Sequence, residues 1–263
     1  MDPDSGLIYS PSHFTWMDTN YPAGTPRQGY PIEIQALWFA ALQFLAETDA
    51  TNPQWPRLAA TVQASILQFY RLPTTNGALS DCLHAAPGEP AAQATPDNAI
   101  RPNQLLAITL GAVTAPDAIA DILRETACLL IPGAIRSLAD RPVSPPLPVQ
   151  GAFGLLNNPE QPYQGQYRGD EDTRRKPAYH NGTAWTWPFP SYCEALAIHD
   201  PEHLTPIARE LLYSVIPLLQ TGCIGHLPEI LDGDSPHAQR GCWAQAWGAT
   251  EAYRVLASLK HTT

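Results

Sequence analysis

Twenty-eight of the 263 residues are proline, and they concentrate between apolar segments. Seven fall between Pro132 and Pro162. Proline fixes φ and offers no N–H, so at this density it marks loops and the first turns of helices and argues against central strands. The chain reads as helices joined by long, ordered loops.

Apolar spacing places those helices. From Pro31 to Thr48, the residues Ile34, Leu37, Trp38, Ala41, Leu42 and Leu45 recur at helical intervals, with Pro31 suited to the first turn. Leu58, Val62, Ile66 and Phe69 mark a second helix, ended by Pro73. Pro102 to Leu110 and Pro116 to Leu130 read as a third and a fourth. The best pattern is Leu204, Ile207, Ala208, Leu211, Leu212, Val215, Leu218 and Leu219, closed by Gly222. Further helices are expected from near Asn181, and from about Cys242 to Leu259. Strand evidence is confined to Gly77–Leu83, a short hairpin arm. No repeat of fixed period is visible. Consecutive helix pairs with long connections suggest an α-hairpin toroid or a solenoid rather than a compact bundle. The expectation is an all-α fold, one domain over residues 1–263.

Composition excludes several classes. With 44% apolar residues there is material for a core. The formal charge of −10 disfavours nucleic acid, whose phosphates demand clustered Lys and Arg. No run approaches the roughly 18 apolar residues of a membrane span. The opening MDPDSGLIYS has no basic stretch followed by an apolar one, so no leader is expected. Five widely spaced cysteines, with no C-x-x-C, suit reduced thiols in a cytoplasm rather than a disulfide framework or a zinc site.

Three loops hold the chemistry. FTWMDTN sets Trp16 beside Asp18. AYHNGTAWTWPFPSY carries Tyr179, His180, Trp185, Trp187 and Phe189. GHLPEILDGDSPHAQRGCWAQAW holds Glu229, Asp232, Asp234, His237, Arg240, Trp243 and Trp247. Aromatics mixed with carboxylates and amides are what sugar recognition needs, because flat sugar faces stack on rings while hydroxyls demand polar partners. Each residue also has a structural reading. Trp38 and Trp243 sit at helical spacing, where a Trp is usually core. Asp232 and Asp234 can cap the turn before the last helix. Counted from Asp232, the twelfth position of a calcium loop would be Trp243 rather than a carboxylate, so that reading fails. The chain carries no G-x-S-x-G, P-loop, G-x-G-x-x-G or H-E-x-x-H. Arg168 to Lys176, seven charged residues of nine with mixed signs, reads as a solvated loop.

These residues carry a resemblance. FTWMDTN (14–20), GTPRQGYPIEIQALWFAAL (24–42), AIRPNQLLAITL (99–110), YHNGTAWTWPF (179–189) and LPEILDGDSPHAQRGCWAQAWGATEAYR (227–254) stand in the order of one family. The chain resembles the amylo-α-1,6-glucosidase part of glycogen debranching enzymes, in their bacterial and archaeal form. The resemblance implies an (α/α)6 barrel of six hairpins, an inverting glycoside hydrolase, a branched α-glucan as substrate and no cofactor. It departs in one respect. Six hairpins need twelve helices, and periodicity gives seven or eight. Asp18 also comes almost first in the chain, where the family places several helices before its acid. The expectation is a toroid incomplete on its N-terminal side, with a second copy or a missing N-terminal segment to complete it.

An inverting glycosidase sets a protonated carboxylic acid and a carboxylate base about 6.5–9.5 Å apart. By the resemblance, Asp18 matches the acid and Glu229 the base. The residues agree: Trp16 and Met17 offer Asp18 an apolar setting that favours its protonated form, and Glu229 lies in a Gly/Pro-bearing loop open to water. Trp16, Arg27, Glu33 and Trp38 are expected to shape a glucose pocket, and Arg101 and Asn103 to reach hydroxyls. His180, Thr183, Trp185 and Trp187 would line another wall, completed by Asp232, Asp234, His237, Arg240 and Gln245. Two alternatives stand beside this reading. One is a glucoamylase-like exo-hydrolase. The other is a non-catalytic or partner-dependent barrel fragment that binds α-glucan.

Overall fold

Proline opens helices here much as its spacing suggests. The computed structural model describes residues 1–19, 25–72 and 75–260; Asn20 and Gly24 of the motif blocks, and Pro73, lie outside them. Helix α1 runs over Ile32–Thr48 from Pro31, and α2 over Gln54–Phe69. The third expected helix is a turn of 3-10 at Pro102–Gln104 followed by α3, Leu105–Thr109. Helix α4, Pro116–Thr126, has proline in its first turn and buries Ala118, Ile119, Ile122 and Leu123 on one face. Lys176–Tyr179 forms a short α5 and Phe189–His199 forms α6. Asp200 then caps α7, Pro201–Leu212, by accepting the His203 N–H at 3.1 Å. Ile216–Leu219 is α8, and Ala246–Lys260 is α9.

Helices α1 and α2 pair, as do α6 and α7. Helix α3 packs on α1 and α6, α4 on α6, and α9 on α6 and α7. The main core draws Ile32, Ala36, Phe39 and Leu42 from α1, Val62 and Ile66 from α2, and Leu105 and Ile108 from α3. Each of the larger side chains, Ala36 aside, stabilises the fold by roughly 1.5–3 kcal/mol. On another side, α1, α3, α6 and α9 share a cavity of about 470 Å³ whose lining includes Leu37, Leu106, Glu194, Trp247 and Arg254. The open side of the helical arc is therefore apolar at its centre, with a charged edge.

The all-α expectation needs correcting. Among the described residues ten short strands pair, each of two or three residues. Strands β1 (Gly29–Pro31), β2 (Cys82–His84) and β3 (Thr95–Pro96) form one antiparallel sheet in that order. Strands β4 (Leu130–Ile131), β5 (Ala134–Arg136), β8 (Ala184–Trp185), β9 (Ile230–Leu231) and β10 (Gln239–Arg240) form another, in the order β10-β9-β8-β5-β4. Strands β6 (Gln150–Gly151) and β7 (Gly154–Leu155) make a hairpin. Such short strands leave no alternation for the eye to find. Of the expected hairpin arm Gly77–Leu83, Cys82 and Leu83 enter a strand, and that strand pairs with distant segments. The helix expected near Asn181 starts at Phe189, because Ala184–Trp185 are committed to β8. Glu171–Arg175, read as loop, is an exposed turn of π-helix leading into α5.

Candidate active site

Asp18 is an exposed residue between anchored neighbours. Thr15 Oγ1 accepts from Arg27 Nη1 at 3.1 Å, and from the Met17 N–H at 3.1 Å. The Trp16 indole N–H donates to Asn103 Oδ1 at 2.6 Å. The Thr19 hydroxyl bonds to His180 Nδ1. Burial alternates along this segment: Met17 and Thr19 point inward and Asp18 outward. The expected apolar enclosure of Asp18 is thus replaced by solvent.

Beneath this segment lies a buried charge network. Arg27, 2% exposed, grips Glu33 with two parallel bonds of 2.7 Å and reaches Asp81 Oδ2 from Nε at 2.6 Å. Burial opposes its charge, but Asp81 and Glu33 overcome that and hold the guanidinium pKa well above its ordinary value. Asp81 Oδ1 accepts from Asn103 Nδ2 at 2.7 Å. Arg101 donates to the carbonyls of Ser137, at 3.0 Å, and His180, and to Asn181 Oδ1 at 2.9 Å. Arg27, Glu33, Arg101 and Asn103, expected against sugar, therefore spend their polar atoms holding loops. Glu33 also borders the central cavity. Asp81 escapes a reading of the sequence; a lone carboxylate inside the apolar run Ala78–Leu83 is its signal.

Aromatic rings pack above the network. Trp16 stands edge-on to His180, Trp185 and Trp187, with centroids 5.3, 5.2 and 5.0 Å away. His180 stacks on Trp185, and Trp187 on Trp247 at 4.1 Å. Burial, then the charges of Arg101 and Arg27, push the His180 pKa well below the usual histidine value, so its imidazole is neutral. His180 Nε2 and Trp187 Nε1 are buried without a hydrogen-bond partner among the described residues. Thr183 is buried and donates its hydroxyl to the Tyr179 carbonyl.

Pairing of β8 with β9 brings the third loop in. Trp185 lies opposite Ile230, and Thr186 N–H reaches the Glu229 carbonyl at 3.3 Å. Half-buried Glu229 accepts at Oε1 from the Tyr179 hydroxyl, at 2.6 Å, and from Gln245 Nε2, at 3.1 Å. Its Oε2 accepts the Cys242 N–H at 2.9 Å. Asp18 and Glu229 both lie close enough to Tyr179 for their charges to act on its phenol. Two carboxylates, one exposed and one held by three donors, thus lie near a wall of indoles. Among the described residues, no group of three His, Cys, Asp or Glu could hold a metal ion.

The sequence model of the amylo-α-1,6-glucosidase family matches residues 1–144 and 149–254, nearly the whole chain. The chain belongs to that family. No curated protein sequence matches it. Solved structures share its fold at low identity. A mannosylglycerate hydrolase of family GH63 from Thermus thermophilus, in complex with glucose, is 12% identical, with a TM-score of 0.50 over 92% of this chain and 47% of its own. Neutral trehalase Nth1 from Saccharomyces cerevisiae is 13% identical, with 0.50 over 88% and 40%. An uncharacterized conserved protein from Thermus thermophilus is 11% identical, with 0.51 over 92% and 48%. The chain shares part of the six-hairpin fold of these structures and spans less than half of their length.

Within this amylo-α-1,6-glucosidase family member, the remaining candidates scatter. Trp38 donates its indole N–H to the Gly6 carbonyl at 3.1 Å and packs on the main core. Buried Asp232 accepts from the Tyr167 N–H, at 2.8 Å, and from Arg240, at 2.9 Å, fixing one loop to another. His237 bonds through Nδ1 to the Asp232 carbonyl at 3.1 Å. Asp234 accepts from the Tyr163 hydroxyl at 2.9 Å and lines a second, polar cavity of about 540 Å³ with Asp140, Arg168 and Arg174. Trp16, Trp185, Trp187, His180, Glu229 and Gln245 form the centre; Asp232, Asp234, His237 and Arg240 lie around the loop 163–168.

Proposed function

We propose that this chain is a glycoside hydrolase that removes α-1,6-linked glucose from branched α-glucan with inversion. Asp18 gives a proton to the departing glycosidic oxygen. Glu229 takes a proton from a water that attacks the anomeric carbon on the opposite face. The water's remaining hydroxyl becomes the new anomeric hydroxyl, so the released glucose is the β-anomer. The observation that carries this reading is the pair itself: a solvent-facing Asp18 and a hydrogen-bonded Glu229, both near Tyr179 and beside a tryptophan wall. Unpartnered His180 Nε2 and Trp187 Nε1 next to Trp16 support a polar ligand, since buried polar atoms ordinarily find partners. Five free cysteines fit work in a reducing cytoplasm. Incubation of the purified chain with a phosphorylase limit dextrin should release glucose. Dextrin left intact by a folded chain would overturn activity of this chain alone.

The open apolar cavity between α1 and α9 favours a second reading, in which the site works only once further helices cover it, from a second copy or from another segment. Binding of limit dextrin without glucose release would support that alternative.

A further inference from the structure

The environment of Glu229 treats its two oxygens differently. Among the described residues, Oε1 has two donors, the Tyr179 hydroxyl and Gln245 Nε2, which occupy both of its lone pairs. Oε2 has one, the backbone N–H of Cys242. Space differs as well. Gly241, at φ +67°, lets the backbone lie against Oε2, where any Cβ would stand 2.3 Å from that oxygen and crowd it.

We infer that Tyr179 is a positioning residue that, with Gln245, saturates Oε1 and makes Oε2 the oxygen that receives the proton from water. Tyr179 suits this because its own proton stays in place. Burial raises the phenol pKa far above its ordinary value, and the bond to Glu229 and the charges of Glu229, Tyr167 and Asp18 raise it further. The O–H is therefore a donor throughout the cycle. Its ring packs against both His180 and Trp185, each 4.8 Å away by centroid. In the proton transfer, an O–H bond of water breaks, a bond to Oε2 forms, and Tyr179 neither gains nor loses a proton. This inference rests on Glu229 as the base.

The test is Tyr179→Phe, which keeps the ring and removes the hydroxyl. Nearby charged groups, Asp18, Glu171, Arg175 and Lys176, remain in place. Loss of one of the two donors frees Oε1 and lets the carboxylate turn, so kcat for α-glucosyl fluoride should fall while substrate binding is kept. The rate should fall roughly 10-fold, with KM within about threefold. A side-chain carbon-13 spectrum of Glu229 at one fixed pH, read in the intact chain whether or not it turns over, should show the carboxyl resonance moved by loss of the Tyr179 bond. An unmoved resonance overturns the inference, as does a Tyr179→Phe variant with the wild-type kcat. Glu229→Gln run in parallel separates the two readings: if it keeps the wild-type rate, Glu229 is not the base. If it is inactive while Tyr179→Phe behaves as wild type, the positioning role alone fails.

Discussion

Asp81 reaches Trp16 through a single amide. Asn103 donates from Nδ2 to Asp81 Oδ1 at 2.7 Å and accepts the Trp16 indole N–H on Oδ1 at 2.6 Å. A carboxylate can only accept, so it dictates which way the Asn103 amide turns, and the amide in turn presents an acceptor to the indole. Through this relay a buried ion cluster sets the wall beside Asp18.

Replacing Asp81 tests that relay. Asp81→Asn removes one of the two carboxylates that neutralise Arg27, and breaking a buried pair costs about 3–5 kcal/mol. Urea unfolding should show the loss, and near-UV circular dichroism should show the indole cluster loosened around Trp16. An unchanged urea midpoint would mean that Glu33 alone suffices for Arg27.

Separating the two carboxylates is the second test. Asp18→Asn and Glu229→Gln should each slow α-1,6-glucoside hydrolysis by roughly 10²–10⁴-fold. α-Glucosyl fluoride, whose leaving group needs little protonation, should restore most of the Asp18→Asn rate and leave Glu229→Gln slow. Equal rescue of both, or α-glucose as the product, would mean that the roles are misassigned.

Buried, neutral His180 makes stability depend on pH. Its folded pKa is depressed by burial and then by Arg101 and Arg27, so below the unfolded histidine value of about 6.5 the unfolded chain binds a proton that the folded chain refuses. The contribution is complete above that pH. It is lost as pH falls towards the depressed folded value, at up to about 1.4 kcal/mol per pH unit. His180→Gln should flatten the fall in urea stability between about pH 6.5 and 5 relative to wild type. Parallel curves would contradict a neutral His180.

Association is the fourth expectation. Ile34, Leu37, Ala41 and Phe44 fall on one face of α1, with Leu37 51% and Phe44 63% exposed. The isolated chain should sediment as a concentration-dependent dimer, weakened by Leu37→Glu with Phe44→Glu. A monomer at every concentration would count against covering by a second copy.

This same face shows what the sequence can reveal. The helix expected from Pro31 to Thr48 is plain from its apolar period, but of its stripe Leu42 and Trp38 reach the core while Ile34 and Leu37 border the open cavity. The buried face instead carries Glu33 and Gln35 alongside Ile32, Ala36 and Phe39. Polar residues buried by partners, as Glu33 is by Arg27, cannot be told from solvated ones by periodicity. The three loops and their order are legible. Their junction is not, because β8 and β9 are two residues each and pair across a long stretch of chain. Tyr179 stands in a motif that the sequence offers, yet its bond to Glu229 needs that pairing.

The network that clamps residues 15–19 has a consequence for how the molecule comes into being. Trp16 finds its partner 87 residues later, and Thr19 finds His180 161 residues later. Closing such loops costs entropy that is repaid only when the far contacts form, so these are slow, late events. During synthesis, the segment 15–19 must wait for partners that are made much later. Until Gln245 has emerged the ribosome carries helices but no completed Glu229 cradle, and the step that organises the site belongs to the close of folding.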